Sequence, residues 1–369
     1  MLLFKDLLLY LSKATFFGLI IAAVFLLVTD QSPINSFFSN SPTSDHFSYN
    51  PAVRKASPAV VNIYSINIVP RRGNDGSLQK DSSLRGLGSG VIMDEKGYIL
   101  TNYHVVRKAD EILVALQDGR RFTADIVGLD AETDLAVLKI SAGHLPTAIA
   151  RLDSQPRVGD IVLAIGNPYN LGQTITQGII SATGRNGLSS GYQDFLQTDA
   201  AINKGNSGGA LIDTDGRLIG INTAAYQVGG ESGRGINFAI PIQLAYKVMQ
   251  KLIESGRVIR GAIGFSGQPV SVNPVKAQVL GLPTLAGVLI TDIDPQGAAA
   301  QANLMPNDVV IKYNKETIPS GGPAVWMLLD RVAETQPGTS VVLTIIRNGV
   351  QKKVNVVVDE KPNLKQPTH

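Results

Sequence analysis

The sequence predicts a mainly β protein in which two β-rich domains follow an N-terminal apolar helix. From residue 51 onward, short runs of Val and Ile alternate with Gly and Asp turns, a pattern typical of β barrels and sandwiches. Helical periodicity is scarce before residues 241–254, where apolar side chains recur on one face. The length of 369 residues suffices for two or three units with complete cores.

The composition excludes several classes of function. The net charge is only +3, from 33 basic and 30 acidic residues, and no dense run of Lys or Arg marks a nucleic-acid partner. The chain contains no cysteine, which rules out disulfides, thiolate nucleophiles and cysteine-based zinc sites. We expect neither a metal ion nor a cofactor.

Residues 1–30 are predicted to form a short cytoplasmic end and a membrane-spanning anchor helix. Lys13 is the only charged residue between residues 7 and 28. A helix of that length rises about 33 Å, which is enough for the roughly 30 Å of a bilayer core. Lys5 and Lys13 lie toward its start, so the positive-inside rule places the N-terminus in the cytoplasm. A cleaved signal peptide is the alternative, but no Ala-x-Ala-like site follows, so we favour an uncleaved anchor.

The rest of the chain divides into a tether, two domains and a tail. Residues 31–50 are rich in Ser, Asn and Pro, which is typical of a flexible tether. We predict a first domain over residues 51–258, a second over 259–361 and a tail over 362–369. In the first domain we expect a strand at 57–64 and a polar loop at 70–86. In the second we expect strands at 287–293 and 308–313, helices at 298–303 and 323–334, and a last hairpin that turns at Asn348 and Gly349.

Candidate catalytic side chains are few, because the chain has four histidines and only His104 ends a strand-like run. A satisfied buried histidine is the alternative interpretation of a lone His. Ser207 lies between glycines, in a segment where main-chain N–H groups can converge beside a hydroxyl, although Gly-Ser turns between strands are also common. The segment also fits the nucleophile elbow of α/β-hydrolases. That fold requires a histidine after the serine, and only the terminal His369 follows Ser207.

Asp134 completes a candidate triad. It precedes an apolar strand, where a carboxylate requires a hydrogen-bonding partner, although a structural Asp at a strand start is the alternative. The chain order His104, Asp134, Ser207 is that of chymotrypsin-like double β-barrel proteases.

Three motifs around these residues resemble those of the HtrA family of serine proteases: residues 100–106 (LTNYHVV), 133–139 (TDLAVLK) and 205–211 (GNSGGAL). The resemblance covers residues 51–361 and implies a chymotrypsin-like double β-barrel domain followed by one PDZ domain. It also implies that Gly205, Asn206 and Ser207 supply the oxyanion hole. Asn206 stands where zymogen-type serine proteases carry Asp, so another group must order this loop.

The same resemblance implies a substrate pocket. The residue six before the serine floors that pocket in this fold, and here it is Ala201, which favours a small aliphatic side chain. The alternative is that Ala201 only packs and that the neighbouring walls select the substrate. Those walls are Ile221, Asn222 and Thr223.

The second domain resembles a PDZ domain, and Arg260 precedes its carboxylate-binding loop. A peptide C-terminus would bind there and add as a strand. The loop residues are Gly261, Ala262, Ile263, Gly264 and Phe265. Ala262 stands where relatives often carry an aromatic residue, and Asn307 replaces a usual glycine. A β domain without a ligand is the alternative interpretation.

Arg185 matches a sensor-loop arginine that connects the PDZ domain to the active site in the HtrA family, and a solvated loop charge is the alternative interpretation. The anchor and the single PDZ domain resemble the membrane-anchored, stress-sensing branch of the family. That branch implies a homotrimer in the bacterial inner membrane, with both domains in the periplasm and with Phe47 and Tyr49 able to contribute to trimer packing. It implies activation by C-terminal peptides of outer-membrane proteins and a first cut in a transmembrane anti-sigma factor. A general quality-control protease and a peptide-binding scaffold are the alternatives.

Overall fold

We describe a computed structural model of the chain. It covers residues 2–28, 48–72, 78–167, 172–185, 195–223, 227–228, 231–232, 235–270, 278 and 286–362. The chain divides into two compact units, residues 1–49 and 50–369. The first unit contains one helix, α1 (Leu2–Val28). Judged on the side chains that are described, no helix combines the length and the apolar character that a membrane crossing requires. Most of the predicted tether, including Phe47, lies outside the described residues.

The second unit begins with two short helical segments, where a strand was expected from residue 57. Helix α2 (Asn50–Ala56) is followed by one 3-10 turn (Ser57–Ala59), and strand β1 starts only at Val60. Pro58 accounts for the difference. Its ring fixes φ and removes an N–H, which suits the first turn of a helix better than a paired strand.

The first sheet forms a barrel that one bent strand closes. Its seven strands follow the order β5-β4-β1-β2-β3-β7-β6. The two edge strands are separated in sequence only by Ala124, so β5 pairs with β4 while its continuation β6 pairs with β7. The strands are β1 (Val60–Arg72), β2 (Leu78–Ile92), β3 (Tyr98–Thr101), β4 (Glu111–Ala115), β5 (Arg121–Thr123), β6 (Asp125–Asp130) and β7 (Leu135–Lys139), and the one-turn helix α3 (Tyr103–Val106) follows β3.

The predicted polar loop at residues 70–86 is wrong, because most of it belongs to a long hairpin. Strands β1 and β2 pair from Val60 opposite Val91 to Arg72 opposite Leu78. A β ladder is held by main-chain hydrogen bonds, which polar side chains do not prevent, so polarity alone did not reveal these strands.

The second sheet is a closed six-stranded barrel in the order β10-β15-β12-β11-β8-β9. Its strands are β8 (Ile161–Gly166), β9 (Thr174–Arg185), β10 (Phe195–Thr198), β11 (Ala210–Ile212), β12 (Leu218–Thr223) and β15 (Asn237–Pro241). Between β12 and β15 in the chain, β13 (Gln227–Val228) and β14 (Glu231–Ser232) form a separate two-stranded sheet. Helix α4 (Ile242–Ser255) contacts β6 and β7 of the first barrel and β12 of the second, and it ends at Gly256 in the left-handed conformation.

The remaining elements form two helices, a separate two-stranded sheet made of β16 and β23, and a six-stranded sheet. In the six-stranded sheet, five strands follow the order β17-β18-β19-β21-β22, which leaves one side of β17 at the edge, and β20 pairs with β19. The elements are β16 (Gly261–Ala262), β17 (Phe265–Pro269), β18 (Val288–Ile293), α5 (Ala298–Gln301), β19 (Val309–Tyr313), β20 (Glu316–Thr317), α6 (Pro323–Glu334), β21 (Ser340–Arg347), β22 (Val350–Val357) and β23 (Asp359–Glu360). Asn307 has a φ of 75°, the left-handed geometry that asparagine tolerates. The limits predicted for both domains, at residues 51, 258 and 361, stay predictions.

Candidate active site

His104 lies on the one-turn helix α3 and faces Asp134. Its Nδ1 is 2.7 Å from Asp134 Oδ2, and its main-chain N–H donates to Asp134 Oδ1 at 3.0 Å. The two side chains remain partly exposed, at 33% and 23%. A carboxylate at Nδ1 selects the tautomer whose Nε2 carries the lone pair, so Nε2 is the atom that can accept a proton.

Asp134 occupies the turn between β6 and β7 in a left-handed conformation, with a φ of 52°. The main-chain carbonyl of Asp134 accepts two hydrogen bonds from residues that precede His104. The donors are Asn102 Nδ2 at 2.9 Å and the Tyr103 N–H at 3.0 Å. The Thr223 hydroxyl donates to Asp134 Oδ2 at 3.1 Å. The carboxylate that was expected to need a partner therefore has three donors.

The loop around Ser207 depends on glycines. Gly205 has a φ of 105° and Gly208 a φ of 82°, regions that other residues rarely adopt. A Cβ at Gly208 would collide with Ser89 O and Thr101 Oγ1 and would lie 3.2 Å from Asn102 N. The loop is therefore packed against the end of β3 that leads into His104. Between these described residues no hydrogen bond joins the Ser207 hydroxyl to His104, and such contacts often form only when substrate is bound.

Two of the three predicted oxyanion donors are free. The Asn206 N–H donates to Asn203 O at 2.9 Å, so it is already used. Within the described part of the chain, the N–H groups of Gly205 and Ser207 donate to no other residue. Of the three predicted donors, the N–H groups of Gly205 and Ser207 are therefore available to an oxyanion in this conformation, whereas that of Asn206 is used within the turn.

The residues predicted to line a substrate pocket differ in exposure, and their role in substrate selection stays a prediction. Ala201 is exposed, and its carbonyl accepts a hydrogen bond from Thr176 Oγ1 at 2.8 Å, while Ile221 is fully buried. Asn222 is also fully buried, and its carbonyl accepts from Gly208 N–H at 2.8 Å.

Asn222 and Thr223 therefore have contacts that the sequence analysis did not anticipate. The Asn222 amide donates to Ala210 O at 2.9 Å, and Thr223 binds the Asp134 carboxylate. Both polar side chains make hydrogen bonds inside the protein, next to the Ser207 loop and to Asp134, and their place in the walls of a substrate pocket stays a prediction. The contact between Thr223 and Asp134 spans 89 residues of sequence, and no local pattern signals it.

The predicted carboxylate-binding loop borders a groove of about 420 Å³ between β17 and α6. Ile263 O accepts from Ala299 N–H at 2.7 Å, and Gly264 O accepts from Asp294 N–H at 2.9 Å. In a trans peptide the C=O and the following N–H point in opposite directions. The N–H groups of Gly264 and Phe265 therefore face away from the body of the domain. Gly264 has a φ of 79°.

Other side chains make the groove mostly apolar but add one charge of each sign. Val325, Trp326 and Leu329 line it from α6, while Glu132 and Lys361 also border it. Ala262 also lines the groove.

Charged residues connect this groove to the turn that holds Asp134. Arg260 donates to both oxygens of Asp130, at 2.8 and 2.6 Å, and its Nε lies 3.5 Å from Glu132 Oε2. Lys361 Nζ lies 2.9 Å from Glu132 Oε1. Burial opposes the charged form of Arg260, but the hydrogen bonds and charges of Asp130 and Glu132 outweigh it and raise its pKa above the ordinary value.

Arg185 is the last residue of β9 and pairs with Phe195 of β10. Its side chain lies outside the described residues, so its predicted sensor role stays a prediction.

Comparison with known proteins agrees with this geometry. The family of trypsin-like peptidase domains matches residues 88–221, and the family of PDZ domains matches residues 261–358. The chain is 48% identical to the serine endoprotease DegS of Escherichia coli K12, over 95% of this chain and 98% of that protein. It is 43% identical to DegS of Haemophilus influenzae, again over 95% of this chain and 98% of the relative.

A solved structure of the HtrA-type protease AlgW with a decapeptide is also similar. It is 44% identical, with a TM-score of 0.75, over 85% of this chain and 99% of that one. The chain therefore belongs to the HtrA family of serine endoproteases.

Proposed function

We propose that the chain is a membrane-anchored periplasmic endopeptidase in which His104, Asp134 and Ser207 hydrolyse a peptide bond, and in which peptide C-termini bound to the PDZ groove raise the rate. The hydrogen bond between His104 Nδ1 and Asp134 Oδ2, beside a glycine-rich loop with two free N–H donors, carries the catalytic part of this proposal.

The geometry supports a definite sequence of steps. The Ser207 hydroxyl attacks the substrate carbonyl while His104 Nε2 takes its proton, and Asp134 stabilises the imidazolium. The N–H groups of Gly205 and Ser207 bind the oxyanion, and each such donor lowers the barrier by roughly 2.7–4 kcal/mol. His104 then protonates the leaving amine, and water releases the acyl group by the reverse path.

Control by peptide is supported by the position of Glu132. This residue borders the groove, is bound by Lys361 and Arg260, and lies two residues before Asp134. A peptide activates only if it binds the active arrangement more tightly than the resting one. A tenfold to hundredfold rise in rate requires a difference of about 1.4–2.8 kcal/mol, which a few contacts supply.

The anchor is proposed from the sequence of α1 as a whole. Helix α1 runs unbroken from Leu2 to Val28, and Lys13 is the only charge in its last 22 residues. As a helix, these 22 residues rise about 33 Å, which is close to the roughly 30 Å of a bilayer core. Periplasmic relatives, such as the pH-dependent serine endoprotease DegQ of Escherichia coli, support export of the rest of the chain.

The client and the assembly are proposed from the resemblance to one branch of the family. We propose that the protease is a homotrimer and makes the first cut in a transmembrane anti-sigma factor when outer-membrane-protein C-termini accumulate. Full-length protein in detergent would be incubated with a candidate single-span regulator, with and without a peptide that has a free apolar C-terminus. Cleavage at one site that requires the peptide is expected. Absence of cleavage in both conditions would contradict the proposal.

Two alternatives have distinct outcomes. A general quality-control protease would cut unfolded casein into many products, whereas a regulatory protease would cut it poorly. A scaffold without activity would fail to react with a serine-directed phosphonate, whereas the paired His104 and Asp134 predict covalent labelling of Ser207.

A further inference from the structure

The side chain that precedes the proposed nucleophile contributes no hydrogen bond to its own loop. Asn206 is 1% exposed, and its Oδ1 and Nδ2 are buried without a partner among the described residues. The side chain packs instead on Gly166, where an added Cβ would lie 2.7 Å from Asn206 Oδ1. Groups outside the Asn206 side chain must therefore order the loop.

Ser89, a fully buried residue of β2, provides such groups. Its main-chain N–H donates to Ser207 O at 2.8 Å, and its hydroxyl donates to Gly205 O, also at 2.8 Å. The two acceptors are the main-chain carbonyls of Ser207 and of Gly205, which lies two residues earlier. One residue of the first barrel thus holds the loop on both sides of Asn206.

Ser89 is itself held in a single orientation. Its carbonyl accepts a hydrogen bond from Thr101 Oγ1 at 2.7 Å, and its hydroxyl oxygen accepts one from the Asn167 N–H at 3.1 Å. A hydroxyl has only one proton to donate, and here the Asn167 N–H occupies one lone pair and directs that proton toward Gly205. Thr101 ends β3 and Asn167 follows β8, so Ser89 connects both barrels to the loop.

We propose that Ser89 is a positioning residue for the oxyanion hole. Its hydroxyl fixes the peptide that joins Gly205 to Asn206 and therefore restrains the ψ angle of Gly205, the residue whose N–H is one of the two free donors. Glycine has the greatest backbone freedom of any residue, so this donor needs an external restraint. The inference rests on the proposed function, because it requires Ser207 to be the nucleophile.

The test is the substitution Ser89→Ala, which removes the bond to Gly205 O and keeps the main-chain bond to Ser207 O. We expect kcat to fall about tenfold to a hundredfold, less than for outright removal of a donor, because the Gly205 N–H is still present. KM for a peptide substrate is expected to change less than about twofold, since the loss concerns the transition state. A purely structural role would lower the unfolding temperature and leave kcat unchanged in the folded enzyme.

Ser65→Ala is the matched control. Ser65 is 2% exposed, and its hydroxyl donates to Val105 O at 2.5 Å without touching residues 205–207. We expect a similar fall in unfolding temperature but a kcat within about threefold of the wild-type value. If Ser89→Ala does not fold, Ser89→Cys replaces it, because a thiol is a weaker donor of similar shape and should give an intermediate kcat.

Ser207→Ala is measured in parallel to separate the two proposals. The positioning role is overturned if Ser207→Ala abolishes cleavage while Ser89→Ala has the same kcat as Ser65→Ala, or differs from it only in KM. The assignment of Ser207 as the nucleophile would then stand. If Ser207→Ala keeps the wild-type rate, the proposed function itself fails.

Discussion

The Arg260 guanidinium binds both carboxylate oxygens of Asp130, and the pair is buried, with exposures of 9% and 6%. Arg260 immediately precedes the groove loop, and Asp130 ends β6, four residues before Asp134. The Thr133 hydroxyl donates to the same Asp130 carboxylate. One ion pair therefore connects the loop that borders the groove to the turn that holds the proposed catalytic carboxylate.

Arg260→Ala is expected to weaken both stability and control by peptide. Removing one partner of a buried pair leaves a buried charge uncompensated, which costs about 3–5 kcal/mol. Denaturant unfolding would measure this loss, and the ratio of rates with and without peptide should fall toward one. Arg331→Ala is the control. Its pair with Glu316 is 39% and 45% exposed, so its loss should cost less than about 1 kcal/mol. Wild-type stimulation in Arg260→Ala would exclude the pair from the coupling.

Ser207→Ala is expected to reduce proteolysis by several orders of magnitude, because the proposed triad of His104, Asp134 and Ser207 acts as a unit. Peptide binding to the groove should be unchanged, since the groove is lined by other residues. Cleavage of a fluorogenic peptide measures the first effect and calorimetric titration the second. Retention of more than about a few percent of the wild-type rate would contradict the assignment.

Thr223→Val separates the two roles considered for this residue. If Thr223 orients Asp134, loss of its hydrogen bond should lower kcat about tenfold with little change in KM, because the substitution preserves shape. A pocket wall would behave differently. Its alteration would change the preference among substrate side chains, which a panel of peptides varied at the cleavage site would reveal.

A free peptide carboxylate is expected to be essential for activation. The N–H groups of Gly264 and Phe265 face away from the domain body and can bind a carboxylate. A C-terminal amide is neutral and so lacks the negative charge that these donors would bind. Dose–response curves of the cleavage rate should show activation by the free acid and none by its C-terminal amide. Equal activation by both forms would place the activating contact elsewhere.

Membrane attachment is tested by topology. A reporter fused after residue 50 should be active only if it functions outside the cytoplasm, and the protein should stay in the membrane fraction after an alkaline wash. A mature chain that begins near residue 30 and washes off would show that the segment is a cleaved signal.

Much of the architecture could be predicted because it is encoded locally. The hairpin at Asn348 and Gly349, the helix near residues 323–334 and the turn geometry at Asn307 each depend on residues that are adjacent in sequence. The candidate triad was accessible for another reason, since rare residue types in a fixed chain order restrict the possibilities sharply.

The remainder depends on contacts between distant segments. The use of the Asn206 N–H within its turn, the bond from Thr223 to Asp134 and the pair of Arg260 with Asp130 appear only when the chain is folded. The long β1–β2 hairpin was not predicted because main-chain hydrogen bonds hold its strands together, and such pairing does not require an apolar pattern of side chains.

Trp326 is the only tryptophan of the chain, and it lines the peptide groove on α6. Indole emission responds to the polarity of its surroundings, so a ligand that displaces water from this groove should shift the intrinsic fluorescence of the whole protein. No other residue contributes a competing indole signal. Occupancy of the groove can therefore be followed optically in the unlabelled, full-length protease, at the same time as substrate cleavage. Binding to the groove and the proposed change in cleavage rate are then resolved as separate events in one sample.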